Sequence, residues 1–159
     1  MKTFVLALTT LIFGNPKLLE AEEFSLQWEH EEAHVTFTLS APTTGWIALG
    51  FTENEDIVDS NLIMMKVDDD LVYAEDQFVT GFGKHPTIQT LGGTSRIFNL
   101  DGNEKKGHTT VSFSITKEKL DKYHFDLSEG SKINVWLAWS VSDDFDHHSR
   151  KRILRKIEL

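Results

Sequence analysis

Seven histidines, three methionines and no cysteine define the chemistry open to this chain. His147 and His148 stand apart from the other histidines. They end the polar stretch Val141-Ser142-Asp143-Asp144-Phe145-Asp146, just after an apolar run, and precede Ser149-Arg150-Lys151-Arg152. An imidazole in a loop leaving a rigid element is well placed to hold a metal or a haem iron. His30 and His34 flank an acidic turn, His108 and His124 border turns, and all four read as solvated polar residues. Met64 and Met65 are neighbours in an expected strand, so one faces the main core and the other faces away. A thioether paired with an imidazole is a known axial set for haem. The competing reading is that both methionines fill core space. Without cysteine there are no disulfides, zinc–thiolate centres, iron–sulfur clusters, blue-copper sites, thiol nucleophiles or covalent haem. A haem here would be b-type.

Catalytic templates find no match in a fitting context. The chain has no GxSxG, P-loop or GxGxxG, Gly81-Phe82-Gly83 lacks a third glycine, and His30-Glu31-Glu32-Ala33-His34 has the letters of HExxH but lies in an acidic turn, not on a helix. Asp143 and Asp144 are adjacent, so their carboxyls point apart instead of flanking one bond. With Glu53, Glu55, Asp56 and Asp59 they are the candidate ligands for Ca2+, but neither group follows an EF-hand loop. Ca2+ is therefore a minor option, and the residues read as a binding module and not an enzyme. With 25 acidic residues against 16 basic ones, the formal charge of −9 repels phosphate and argues against nucleic acid as a partner.

Positioning these groups falls to strands. Residues 1–21 read as a signal peptide: a basic start at Lys2, apolar residues and threonines from Phe4 to Phe13, a break at Gly14-Asn15-Pro16, and small Ala21. The apolar run is too short to span a bilayer. Residues 22–159 then form one exported domain, periplasmic or at the cell surface, with no membrane span once the leader is removed. Within it Val35, Phe37 and Leu39 alternate with hydroxylated residues, as do Val111, Phe113 and Ile115. Trp46 to Phe51 is continuously apolar, as in a strand covered on both faces. Asn61 to Val67, Leu71 to Tyr73, Ile133 to Trp139 and Ile153 to Leu159 read as further strands, with glycines between. One short helix is expected over Lys117 to Tyr123, capped by Thr116. Such a pattern predicts an all-β antiparallel sandwich or barrel.

The order of these segments resembles the DOMON domain. Thr44-Gly45-Trp46-Ile47-Ala48-Leu49-Gly50-Phe51 is similar to that family's GW-A-GF strand, followed by Asn61 to Val67. Asp76 to Gly81 with Pro86, Gly107 to Ser114, and Trp136 to Trp139 leading to His147 continue in the family's order over residues 24–159. The resemblance implies an immunoglobulin-like sandwich that binds haem b or sugars and serves redox or surface protein partners. It implies His147, with Arg150 three residues on, as the iron-binding end, and a methionine just before Asp59-Ser60-Asn61. Ile57 stands there, which leaves Met64 or Met65 as the thioether and His148 or His85 as the alternative imidazole. The first expectation is non-covalent haem b for electron transfer, with Arg150 and its basic neighbours near the propionates. The second is a haem-free module in which Trp28, Trp46, Tyr73 or Trp136 stacks on a sugar or meets a protein.

Overall fold

A computed structural model gives the fold over residues 15–159. The expected leader therefore lies mostly outside the described residues. Ten strands, β1 to β10, follow in chain order: Lys17–Ala21, Phe24–His30, His34–Ala41, Ile47–Thr52, Asn61–Asp68, Leu71–Phe78, Ile97–Lys105, His108–Thr116, Lys132–Trp139 and Lys151–Glu158. They form two antiparallel five-stranded sheets, ordered β1-β2-β3-β8-β7 and β10-β9-β4-β5-β6. No helix among the described residues is long and apolar enough to cross a membrane.

Alternation builds the core. Val35, Phe37, Leu39 and Ala41 of β3, and Val111, Phe113 and Ile115 of β8, meet Ile47, Leu49, Phe51, Ile63, Met65 and Leu137 of the second sheet, all fully buried. Phe37 lies 5.4 Å from Phe51 and 5.8 Å from Phe113 between ring centres, tying the sheets together at mid-height. Each such side chain contributes about 1.5–3 kcal/mol by leaving water.

The outer faces differ, and that difference locates the site. On the first sheet, Thr36, Thr38 and Ser40 pair their hydroxyls with Ser114, Ser112 and Thr110 at 2.8, 3.2 and 2.9 Å, as expected of a solvated face. On the second sheet, Trp46, Ala48, Leu62, Met64, Val79 and Ala138 form a second apolar cluster, and Ile57 and Phe145 lie on it. This explains why β4 is buried at every residue. An apolar outer face needs a cover, and here loops 53–60 and 140–150 supply it.

An expected helix is absent, and β1 and β7 are not among the expected strands. Residues 117–123 are not helical. The Arg96 guanidinium takes the carbonyls of Thr116, Glu118 and Phe125 through Nη1, and Leu127 N–H donates to Lys117 O, so acceptors that a helix would need are used elsewhere. Lys17–Ala21, which the sequence reading placed in the leader, form the edge strand β1 paired with β2, and Ala21 is buried. The edge strand β7 has no apolar alternation and carries an irregularity between Phe98 and Asp101.

Candidate functional site

Gly45 and Trp46 fix the loop that carries the histidines. A Cβ on Gly45 would run into the backbone of Ser140 and Ser142, so only glycine lets that loop lie so close. Trp46 N–H donates to Ser142 O at 3.0 Å, Ser140 N–H donates to Trp46 O at 2.9 Å, and the Trp46 indole donates to His147 O at 3.2 Å. Ser140 Oγ donates to His148 O at 3.1 Å. With that hydroxyl proton committed, the network assigns the His147 proton to Nδ1, which lies 3.0 Å from Ser140 Oγ and 3.1 Å from His148 O. His147 then carries its lone pair on Nε2, the arrangement expected of a metal-binding imidazole. The side chains of His147, His148 and Arg150 are exposed on the rim.

The thioethers are elsewhere. Met65 is fully buried between the sheets and is not brought together with His147. Met64 does face the outer side, as the alternation requires, but it is 2 % exposed inside the cluster closed by Ile57 and Phe145. Of the basic run, Lys151 pairs with Glu22 at 2.5 Å and Arg152 sits 6.0 Å over the Trp136 ring. Arg155, further along β10, reaches the same Glu22 at 3.0 Å. These contacts hold β10 against the β1–β2 turn and shield Trp136. Among the described residues, no group of three or more His, Asp or Glu is arranged to hold a metal ion.

A cleft of about 610 Å³ opens beside the apolar cluster, where the outer face of β5 and β6 meets the 143–146 loop. Residues Tyr73, Glu75 and Gln77 alternate along β6 opposite Lys66, Met64 and Leu62 of β5, so the pleat sends all six to one face. His85 Nδ1 lies 2.7 Å from Gln77 Oε1, and Gln77 Nε2 donates to Glu75 Oε2 at 2.7 Å. Gln77 is thus fixed in one orientation, with an imidazole on one side and a carboxylate on the other. Tyr73 is 45 % exposed, whereas Trp28 and Trp46 are core residues. Lys66 Nζ stands 5.4 Å from the Tyr73 ring centre and 5.9 Å from that of Phe145. Across from it, burial pushes the Asp143 carboxyl above its ordinary range, with Lys66 pulling the other way.

Behind β6 a buried polar lock holds this wall in place. Asp76 accepts from Asn61 Nδ2 at 2.6 Å and from Arg96 N–H at 3.2 Å. His124, fully buried, stands 3.6 Å from Asp76 and 2.8 Å from Asp121. Burial lowers the Arg96 guanidinium to about 10. Sequence reasoning placed His124 at the surface; nothing near it in the chain marks it as buried, because segments remote in sequence enclose it. The cleft itself was missed as a unit. Its signal was the alternation of Tyr73, Glu75 and Gln77 on the outer face of a sheet already expected to be covered.

A family model described as "DOMON domain" matches residues 20–140. Solved structures share the fold. The cytochrome b domain of pyranose dehydrogenase from Coprinopsis cinerea superposes with a TM-score of 0.64 at 9 % identity, over 85 % of this chain and 76 % of that one. The cytochrome domain of Myriococcum thermophilum cellobiose dehydrogenase gives 0.63 at 12 %, over 92 % and 82 %. The match spans most of the chain, and the chain belongs to the DOMON-domain family.

Proposed function

We propose that this domain is a binding module, not a catalyst, and that it holds a carbohydrate in the cleft beside Tyr73. The carrying observation is the fixed Glu75–Gln77–His85 chain next to an exposed aromatic ring. An aromatic face stacks on the apolar side of a pyranose, while fixed amide, imidazole and carboxylate groups match its hydroxyls. The test is calorimetric titration of glycans found on an array. Tyr73→Ala and His85→Ala are expected to weaken binding roughly ten-fold each. An array without hits, or affinities indifferent to both changes, overturns the reading.

Haem b, which the resemblance implies and which cytochrome b domains carry by name, does not fit the residues as they stand. The rim offers the His147 imidazole. Ile57 stands where the resemblance puts the methionine, Met64 is closed within the apolar cluster, and Glu75, Asp143, Asp144 and Asp146 line the nearby cleft. The tied imidazole and the likeness in fold to cytochrome b domains favour the cytochrome reading. A Soret band on adding haemin that disappears in His147→Ala would put that reading in place of the carbohydrate one.

Export belongs to the same proposal. The pairing of β1 with β2 supports a processing point upstream of Lys17 in place of one after Ala21. The domain then acts outside the cytoplasm, where polysaccharides or surface proteins are met.

A further inference from the structure

We propose that the cleft selects a protonated amine on its carbohydrate, as in a glucosamine oligomer, over neutral and anionic sugars. This inference rests on the carbohydrate reading above and names the class of sugar.

The molecule already shows what its aromatic walls accept. Lys66 Nζ, a cation, lies 5.4 Å from the Tyr73 ring centre and 5.9 Å from that of Phe145. Two ring faces around an ammonium form a cation–π slot, and an ammonium from a ligand fits there for the same reason. The rest of the lining reinforces the sign. Glu75, Asp143, Asp144 and Asp146 carry carboxylates, against the single cation of Lys66. A uronic or sulfated sugar would be repelled by that balance, and a neutral one would gain nothing from it.

A second observation points to a missing donor. Asp143 Oδ1 is buried and has no hydrogen-bond partner among the described residues. A buried acceptor without a donor costs free energy that an incoming N–H restores. Its neighbour Asp144 is committed: Oδ1 accepts from Asp146 N–H at 3.0 Å and holds the loop's shape. Asp143 is thus the cleft carboxylate with a buried acceptor that an incoming N–H would satisfy. Lys66, on its long flexible stem, acts as an internal competitor that swings out when the ligand's ammonium enters. The Gln77–His85 pair, fixed on the adjoining wall, is left to address ring hydroxyls.

The experiment compares β-1,4 tetramers of glucosamine, N-acetylglucosamine and glucose, with spermidine as a charge-only probe, by calorimetry on the folded domain. At low salt the glucosamine tetramer is expected to bind about ten-fold tighter than the acetylated one, a gap that narrows on adding ~0.3 M salt. Asp143→Asn is expected to remove most of the gap, and Lys66→Gln to raise affinity for the amine several-fold, with unchanged far-UV circular dichroism in both. Should Asp143→Asn fail to fold, the salt dependence of the native domain decides instead. Equal affinity for all three tetramers overturns the inference and leaves the carbohydrate reading standing. Spermidine binding as tightly as the glucosamine tetramer overturns it too, since charge alone would then suffice. Binding of none of the tetramers overturns the inference, and the carbohydrate reading falls with it only where the glycan array is also without hits.

Discussion

Gly45 places a loop by lacking a side chain. Its α-carbon faces the backbone of Ser140 and Ser142, and a methyl group there has nowhere to go. Gly45→Ala is expected to cost roughly 2–4 kcal/mol in urea unfolding and to shift the His147 imidazole resonances, because the displaced loop carries that ring. His30 gives the pH dependence. Both ring nitrogens are buried without partners among the described residues, and desolvation, helped by Lys117, holds the imidazole below its ordinary 6.5. On lowering the pH through that value the unfolded chain takes up a proton that the folded one refuses, so stability falls. His30→Leu is expected to shrink the difference between urea midpoints measured at pH 7.5 and 5.5; an unchanged difference would contradict the assignment. At this scale the sequence was informative where period alone decides. Met64 and Met65 do face opposite ways. It was uninformative for His30 and His124, whose burial comes from residues far along the chain.

Strand alternation made most elements legible. Segments β3, β4, β5, β8, β9 and β10 follow from apolar residues at every second position, or from unbroken apolar runs. The edge strand β7 escaped because its residues are mostly exposed and show no such rhythm. Local sequence offered a helix at Lys117 to Tyr123, but Arg96 reaches in from a distant segment and takes its carbonyls. Strand β1 was hidden for another reason: it lies within the stretch that reads as a leader. It pairs along its whole length with β2 and buries Ala21. A chain beginning at Glu22 leaves the β2 edge bare and is expected to melt at least ~5 °C lower than one beginning at Asn15. Mass spectrometry of the exported protein is expected to find an N-terminus before Lys17; a start at Glu22 with undiminished melting temperature would contradict this.

Taken whole, the molecule is a sandwich with two unlike outer faces. One is a hydroxyl-paired surface suited to water. The other is apolar, roofed by two loops, and ends in an acidic cleft beside a rim histidine. The family frame was legible in the sequence from the order of its segments, and the family match bears it out. The ligand was not legible, because the deciding features are spatial: Ile57 and Phe145 close the apolar face, while groups from β5, β6 and the 143–146 loop converge next to it. The most direct test is a nitrogen-15 NMR titration of the domain with glycan and, separately, with haemin. The account predicts that glycan shifts the amides of Tyr73, Glu75, Gln77, His85 and Phe145, and that haemin leaves the His147 region unperturbed. Haemin-induced broadening centred on His147, with no glycan response around Tyr73, would contradict it.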